Sequence, residues 1–355
     1  MSQTRTAAVS AMRPMVLGGL TLPNRVFAAP LSGISDVPFR RLTRRFGAGL
    51  VFSEMVASGE FVKGCAESAV RAMRAGDGIH AVQLAGRDPQ WMERAARQLA
   101  ESGVDLIDIN MGCPAKKVVG GLSGSALMRE PELALRIVEA TVRGASEVPV
   151  SLKMRLGWDR ATMNAAEIAA RAEAAGVAMI TVHGRTRADF YEGQADWHAI
   201  AEVRRAVEVP LVANGDLTRA ADLPRMLEAS GADAVMVGRG AQGRPWLPGL
   251  IAGAVTLDEL ARRKASDLVC EHYEAMLAHY GAASGLRHAR KHLAWSIERL
   301  SAFSGADLQQ SKAEILTAKE PGLVLDRLRR LFAGVSLADL ETGEASDARQ
   351  VKDAA

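Results

Sequence analysis

Eight short apolar runs recur along the chain, and each is followed by a helical-looking stretch rich in Ala, Arg and Glu. Runs this apolar, without polar alternation, are typical of strands buried on both faces of a parallel sheet with helical crossovers. Eight such units over about 230 residues predict an α/β fold, a (β/α)8 TIM barrel. The runs are Arg25–Ala29, Leu50–Ser53, His80–Leu84, Leu106–Asn110, Val150–Arg155, Met179–His183, Pro210–Ala213 and Ala234–Val237.

A doubly wound open sheet is the alternative, and it normally has a glycine-rich phosphate turn after its first strand. Here the first run leads into Pro30-Leu31-Ser32-Gly33, without a GxGxxG pattern, so we expect the barrel. Met15–Leu22, with two central glycines, predicts a small hairpin in front of it that could close the barrel floor.

The strand pattern ends after Trp246, and a helical pattern follows. We therefore expect a barrel domain at 14–255 and a small all-α helical domain at 256–340. Residues 1–13 read as a flexible tail, and the polar residues 341–355 as a disordered one.

The net charge is only +3, which excludes a wholly basic nucleic-acid binder but leaves local basic patches open. The three cysteines, Cys65, Cys113 and Cys270, form no CxxC pair, so we expect no disulfide framework, no iron–sulfur cluster and no structural metal site. Free thiols favour a reducing compartment, the cytoplasm. The chain has no apolar run near the ~20 residues of a membrane span, and we expect no membrane association.

Polar side chains concentrate where the predicted strands end. In a TIM barrel these carboxyl ends form the face that carries the chemistry. We therefore expect a functional site built from Gln83, Asn110, Cys113, Lys153, Arg155, His183, Arg185, Asn214, Gly215, Asp216, Gly238 and Arg239.

Three of these residues suggest a phosphate site. Gly215 and Gly238 follow the seventh and eighth strands, where this fold commonly binds phosphate through backbone N–H groups, and Arg239 adds positive charge. The alternative is that both glycines only make tight turns.

Cys113 stands in an unusually long loop after the fourth strand, close to Lys116. A cysteine in such a loop can give or take a proton, although an incidental small apolar residue is the alternative. Lys153 is a cation on a buried strand and needs an anionic or electron-rich partner, or a structural salt bridge. His183 either contacts a cofactor or an anion, or is a satisfied core histidine.

The helical region carries a basic cluster near Trp295. Such a cluster either tracks a phosphate backbone or forms a solvated helix face. Its members are Arg287, His288, Arg290, Lys291 and His292, followed by Arg327, Arg329 and Arg330.

Together these segments resemble the tRNA-dihydrouridine synthases, most closely the bacterial B-type branch, over residues 14–300. DINMGCPAKK at the start of the long loop is the most specific match. Ser32, where Ala is common, and Val119-Gly120-Gly121 depart from the family pattern. The matching segments are APLSGISDVPFR, QLAG, DINMGCPAKKVVGGLSGSALM, SLKMRLGW, TVHGRTR, ANGD and ADAVMVGRGAQGRPW.

The resemblance implies a flavin enzyme with FMN on the top face of the barrel. Pro30, Leu31 and Ser32 would line the isoalloxazine ring, and Gln83, Lys153 and His183 would contact its polar edge or ribityl chain. The phosphate end would be held by Asn214, Gly215, Asp216, Gly238 and Arg239.

The implied reaction reduces the C5–C6 double bond of uridine in tRNA, with NADPH as the reductant and Cys113 as the proton donor to C5. The target base would have to leave its stack. The D-loop is the expected region of the tRNA. No protein partner is evident, and we expect a monomer. Substrate-binding positions would be Asn110, Arg155, Lys116 and Arg185 in the barrel and Arg290 and Lys291 on the helices.

Two alternatives remain. A flavoprotein like dihydroorotate dehydrogenase would share barrel and FMN but act on a free pyrimidine, without needing the helical domain. An RNA-binding barrel that has lost its cofactor would bind tRNA without catalysis.

Overall fold

The computed structural model describes residues 13–342, and its centre is a closed barrel of eight parallel strands. All eight predicted runs are strands, and the predicted barrel is confirmed. Two further short strands, β1 (Met15–Leu17) and β2 (Leu20–Leu22), form an antiparallel hairpin. The barrel strands are β3 (Val26–Ala28), β4 (Leu50–Ala57), β5 (Ala81–Ala85), β6 (Leu106–Met111), β7 (Val150–Arg155), β8 (Met179–His183), β9 (Leu211–Asn214) and β10 (Ala234–Val237).

Helices connect and surround these strands. Within the barrel region they are α1 (Val37–Arg45), α2 (Ser58–Val62), α3 (Ala66–Ala72), α4 (Pro89–Glu101), α5 (Lys116–Gly120), α6 (Pro131–Ala145), α7 (Ala165–Ala174), α8 (Trp197–Ala206), α9 (Leu223–Ser230) and α10 (Leu247–Ala252). The helices that follow are α11 (Leu257–Ala261), α12 (Ala265–Tyr280), α13 (Ala282–Ser304), α14 (Gln309–Thr317), α15 (Pro321–Leu331) and α16 (Leu337–Thr342).

The floor of the barrel is filled by large apolar side chains. Phe27, Phe52 and Leu106 are buried there, and Leu17 and Leu22 of the β1–β2 hairpin belong to the same cluster. The hairpin therefore closes the amino-terminal end of the barrel, as its sequence indicates, and only the carboxyl ends of the strands remain for a site.

The carboxyl-terminal helices share their apolar core with the barrel. Leu42 and Phe46 from the α1 region, together with Trp246, pack in one cluster with Leu268 and Tyr273 of α12. Arg45 also forms an ion pair with Glu271 at 2.6 Å. The helical region is thus seated on one side of the barrel.

The predicted boundary at residue 340 falls inside α16, which ends at Thr342. Glu341 accepts hydrogen bonds from Arg244 at 3.0 Å and from the indole of Trp246 at 2.8 Å, so this residue belongs to the folded region. The expected tails otherwise lie at residues 1–12 and 343–355, outside the described residues. From residue 13 to 342, no helix combines the length and apolarity needed to cross a bilayer.

Candidate active site at the carboxyl ends of the strands

Strand register brings the predicted site residues to one level of the barrel. Asn110 of β6 pairs with Lys153 of β7, Arg155 pairs with His183 of β8, and His183 pairs with Asn214 of β9. Lys153 and His183 are half-buried, while Asn110 and Asn214 are each 6% exposed. Their side chains therefore lie together at the carboxyl ends of the strands, which we call the strand-end pocket, and Lys153 and His183 are the two partly exposed groups there.

A chain of hydrogen-bonded side chains, which we call the strand-end network, lies beneath these residues. Gln83 donates from Nε2 to the Asp108 carboxylate at 2.6 Å and accepts from Nδ2 of Asn110 at 2.7 Å. Ser151 donates to the other carboxylate oxygen of Asp108 at 2.6 Å. Burial raises the pKa of Asp108, while the Ser151 and Gln83 hydrogen bonds and the nearby Lys153 charge oppose that rise.

Lys153 donates to Oδ1 of Asn214 at 3.1 Å, and Asn214 donates to the carbonyl of Met236 at 2.8 Å. Burial and the charge of Arg155 lower the pKa of Lys153, and the carboxylate of Asp108 opposes that fall. The ammonium thus has a neutral amide as its hydrogen-bond partner, which leaves capacity for an anionic or electron-rich ligand.

Cys113 lies just beyond β6, and its backbone is held while its thiol is half-buried. Oδ1 of Asn110 accepts the N–H groups of Gly112 and Cys113 at 3.2 and 3.0 Å. Ser125, across the loop, donates its N–H and its hydroxyl to the Cys113 carbonyl. Asn110 therefore positions the start of the cysteine loop.

The pKa of the Cys113 thiol is raised above its ordinary value of 9.0, mainly by burial. The Ala115 backbone N–H, Arg155 and Lys153 oppose the rise but do not overcome it. The thiol is therefore protonated at neutral pH and is suited to donate a proton rather than to attack as a thiolate.

Arg155 is 1% exposed and is engaged by backbone carbonyls. It donates to Gly112 at 2.8 Å, to Thr186 at 2.8 Å and to Phe190 at 2.7 Å, and its guanidinium lies 5.4 Å from the ring centre of Tyr191. These contacts fasten the cysteine loop to the loop after β8.

Arg185 is 2% exposed, and each of its N–H donors has a protein acceptor. Nη1 and Nη2 form a two-pronged ion pair with Asp216 at 2.8 and 2.7 Å, and Nε and Nη2 donate to the carbonyls of Glu192 and Gly193. Nη1 also lies 3.3 Å from Nε2 of His183. Because a guanidinium only donates, Nε2 accepts and the imidazole carries its proton on Nδ1.

His183 is held as neutral imidazole. Burial lowers its pKa well below the ordinary value of 6.5, and the charges of Arg155, Lys153, Arg185 and Arg239 lower it further. The neutral ring with its proton on Nδ1 offers a hydrogen-bond donor without adding charge to the pocket.

Two glycines mark the far side of the pocket. Gly215 has a φ of +119°, and a Cβ there would lie 2.9 Å from Cδ2 of His183 and 2.7 Å from Cβ of Ala195. At Gly238 the contact to Ala29 Cβ would be an ordinary 3.8 Å, so packing does not require glycine there. The tight-turn reading thus accounts for Gly215, while the backbone at Gly238 is open to a ligand.

Arg239 lies 4.7 Å from the ring centre of Tyr191 and 3.5 Å from the Asp216 carboxylate. Tyr191 thus carries the guanidiniums of Arg155 and Arg239 over its ring, and burial raises its pKa. Sequence reasoning missed Tyr191 because it lies in an irregular loop, and it gave Asp108 no role although this residue begins the DINMGCPAKK segment.

The remaining predicted residues lie at the rim. Pro30 and Leu31 are half-buried and Ser32 is exposed, in the loop after β3. The N–H of Gly33 donates to Glu54, and Nζ of Lys291 lies 3.6 Å from the position of a Cβ on Gly33. Lys291 of α13 therefore reaches the barrel's carboxyl-terminal face.

Arg290 and Lys116 are exposed, on α13 and at the start of α5. Neither contacts the strand-end network among the described interactions. Both point to solvent at the edge of the molecule, where a large ligand could meet them.

Sequence comparison decides the family. The family model described as dihydrouridine synthase matches residues 27–332. The chain belongs to the dihydrouridine synthase family. This dihydrouridine synthase is 55% identical to a probable tRNA-dihydrouridine synthase of Rhizobium leguminosarum bv. phaseoli, over 87% of this chain and 95% of that protein. It is 43% identical to tRNA-dihydrouridine synthase B of Pseudomonas aeruginosa, over 80% and 87% of the two chains.

Solved structures support the fold of this dihydrouridine synthase. A histamine dehydrogenase from Rhizobium sp. 4-9 aligns with a TM-score of 0.53 at 14% identity, covering 76% of this chain and 51% of the other. The 6-hydroxypseudooxynicotine amine oxidase of Pseudomonas geniculata N1 aligns with a TM-score of 0.55 at 13% identity, covering 70% and 50%. The chain spans about half the length of each structure. The family membership makes the protein an enzyme of the oxidoreductase class.

Proposed function

We propose that this dihydrouridine synthase reduces the C5–C6 double bond of uridine in tRNA, using NADPH and bound FMN, with Cys113 as the proton donor. The observation that carries the proposal is the Cys113 thiol, which burial keeps protonated beside a pocket containing Lys153 and His183. A protonated thiol at the mouth of a cationic pocket suits reduction of an electron-poor ring.

The residues of the pocket fit a flavin mononucleotide. Lys153, with only a neutral amide as its hydrogen-bond partner among the described contacts, and His183 would contact the polar edge of the ring. The turn at Gly238 and the guanidinium of Arg239 would hold the phosphate. The loop after β3 would line the ring with Pro30, Leu31 and Ser32. Gln83 would hold the floor of the pocket in place through its hydrogen bonds to Asn110 and Asp108.

A bound FMN would supply hydride-transfer chemistry for C6 of the uracil ring, with NADPH as the source of reducing equivalents. Cys113 donates the proton that C5 takes up, so the thiol becomes a thiolate as the C5–H bond forms. Lys153 and Arg155 are close enough to lower the pKa of that thiol electrostatically, and the same charges stabilise the thiolate produced. Solvent then returns the proton to Cys113.

Three predicted substrate residues have contacts that support narrower roles in the proposal. Asn110 holds the N–H groups of Gly112 and Cys113, and Arg155 holds the Gly112 carbonyl. The N–H groups of Arg185 donate to Asp216 and to two backbone carbonyls. We assign all three to positioning. Asp216 and Gly215 likewise shape the phosphate side without offering a donor side chain to an anion.

The tRNA would lie across the carboxyl-terminal face and the helices. Lys291 approaches the Gly33 loop, and exposed Arg290 and Lys116 extend the positive edge. Phosphate contacts of this kind place RNA without reading its sequence. The uridine reduced would be in the D-loop, extruded from its stack towards Cys113. We also propose that the enzyme acts as a cytoplasmic monomer with its three thiols free.

The direct test incubates the flavin-loaded protein and NADPH with unmodified tRNA, and separately with free uridine monophosphate and orotate. Mass spectrometry should find the reduced product in the tRNA reaction and not in the reactions with free uridine monophosphate or orotate. A Cys113→Ala variant should form product about 10²–10⁴ times more slowly, whereas Cys65→Ala should match the wild type. Reduction of a free pyrimidine with no change in tRNA would overturn the proposal and favour the small-molecule reductase. A protein that binds tRNA but no flavin would favour the binding-only barrel.

A further inference from the structure

A second group of ionisable side chains lies outside the strand-end pocket, between α1 and the carboxyl-terminal helices. One carboxylate oxygen of Asp36 and one ring nitrogen each of His272 and His292 lie within 4.8 Å of one another. Asp36 precedes α1, His272 is on α12 and His292 is on α13. Three separate parts of the chain thus bring two imidazoles and a carboxylate together.

The histidines have unused hydrogen-bonding capacity. The Nε2 atoms of His272 and His292 are buried, and neither has a hydrogen-bond partner within the described residues. A buried imidazole nitrogen without a partner is costly and calls for an explanation such as a bound water or ion. Burial lowers the pKa of His272 to about 4, and burial with the neighbouring charges lowers that of His292 well below 6.5, so both rings keep a lone pair.

Asp36 supplies carboxyl oxygens with lone pairs to spare, and burial raises its pKa to about 7. Its oxygens accept one bond from the Phe39 N–H at 3.0 Å and one from the Tyr280 hydroxyl at 3.2 Å. A carboxylate has about four acceptor positions. Glu54 adds a nearby negative charge, and the opposing Arg40 directs Nε and Nη2 to the carbonyls of Ser35 and Met73.

We propose that Asp36, His272 and His292 bind a divalent transition-metal cation, with zinc as the preferred ion. Two neutral imidazoles and one carboxylate form a common donor set for zinc, at bond lengths of about 2.0–2.2 Å. Ligand atoms in such a tetrahedron are about 3.3 Å apart, and the three groups already lie within 4.8 Å of one another, so small side-chain rotations can close the remaining gap.

The surroundings leave room for a fourth ligand. His272 and His292 line a small cleft with Phe39, Trp246 and Ser296, which leaves a place for a water molecule beside the two imidazoles. A bound ion would tie α1 of the barrel to α12 and α13, and so fix the helix that carries Lys291. The site does not depend on the reaction proposed for the strand-end pocket.

The test uses the full-length protein, stripped with a chelator and titrated with Co²⁺ and Zn²⁺. We expect one Co²⁺ per chain with the visible absorption of a four-coordinate nitrogen and oxygen site, without the sulfur-to-metal band of a cysteine ligand. Zn²⁺ should displace it, and zinc at about 100 times its Kd should raise the Tm by roughly 5 °C.

His272→Ala should abolish binding and the Tm shift, and Asp36→Asn, which retains a helix-capping side chain, should weaken binding at least about tenfold. His198→Ala, at an exposed histidine of α8, is the matched control and should bind as the wild type does. Circular dichroism checks folding, and if His272→Ala is unfolded, the Asp36→Asn result decides. A wild type that retains no ion, or a folded variant with unchanged affinity, would overturn the proposal.

Discussion

The strand-end network and the cysteine loop lie side by side but are built differently. Gln83, Asp108 and Asn110 sit on strands, are buried and are joined by hydrogen bonds of 2.6–2.7 Å. Cys113 is a half-buried loop residue whose backbone is held by Asn110 and Ser125, and the Ala115 N–H is the hydrogen-bond partner of its thiol.

The difference separates two tasks. A cofactor that stays bound is served by side chains that cannot move, because their rotamers are set by neighbouring strands. A proton donor that must meet a large incoming base is served by an anchored backbone and a partly exposed side chain. Changes in the network should therefore affect flavin binding, and changes in the loop should affect the reaction with tRNA.

Among changes near the strand-end network, Lys153→Met should cause the largest loss of flavin affinity. The substitution keeps the side chain's length but removes the ammonium, so flavin affinity should fall about 100-fold, which corresponds to about 2.7 kcal/mol. Fluorescence titration of apoprotein with FMN measures it. Lys312→Met, at the Glu298 ion pair on the helical region, is the control and should leave the Kd unchanged. An unaltered Kd in Lys153→Met would remove this residue from the cofactor site.

Gly215→Ala should disturb the same side of the pocket by a steric route. Its φ of +119° disfavours any side chain, and the new Cβ would press on His183 and Ala195. We expect about 1–3 kcal/mol of lost stability, measured by chemical denaturation. Gly322→Ala, at a glycine with nothing within 4 Å, is the control. Equal stability of the two variants would show that His183 and Ala195 can move away from the new Cβ without cost.

Arg290→Ala combined with Lys291→Ala tests the RNA side. Affinity for tRNA should fall about tenfold, and the slope of log K against log salt should shrink by about 2, since two phosphate contacts are lost. Arg97→Ala with Arg205→Ala removes equal charge from exposed positions on α4 and α8 and should change little. If both double variants lost the same affinity for tRNA, only net charge would matter and α13 would have no specific role in binding.

The smallest effect concerns the titration of Cys113. Because burial raises its pKa above 9.0, the thiol is protonated at pH 7 and becomes thiolate only at more alkaline pH. Alkylation by iodoacetamide, followed by peptide mass spectrometry in a Cys65→Ala and Cys270→Ala background, should have its midpoint above pH 9. A midpoint below pH 8 would indicate a thiolate-type cysteine and argue against proton donation.

The barrel was predictable because its pattern is local. Runs such as Leu106–Asn110 and Met179–His183 show strand character without reference to the rest of the chain, and the fold then places their ends together. The cysteine loop was visible for a similar reason, since its length and its DINMGCPAKK segment are contiguous.

The side-chain partners were not predictable, because they depend on distant contacts. Nothing beside Arg185 in the sequence reveals that Asp216 and two carbonyls occupy its guanidinium. Likewise, Asp36 and His272 are far apart along the chain and meet only when α12 packs against α1. Sequence therefore indicated which residues lie at the strand ends, while only the structure shows which of them already have protein hydrogen-bond partners.

We propose that Cys113 acts in the reaction with tRNA and not in cofactor binding or reduction. Anaerobic stopped-flow absorbance can follow flavin reduction by NADPH and flavin reoxidation by tRNA separately. In Cys113→Ala the first rate should stay within about twofold of the wild type, while the second should fall by about 10²–10⁴. Equal slowing of both steps, or a normal rate with tRNA, would contradict the account.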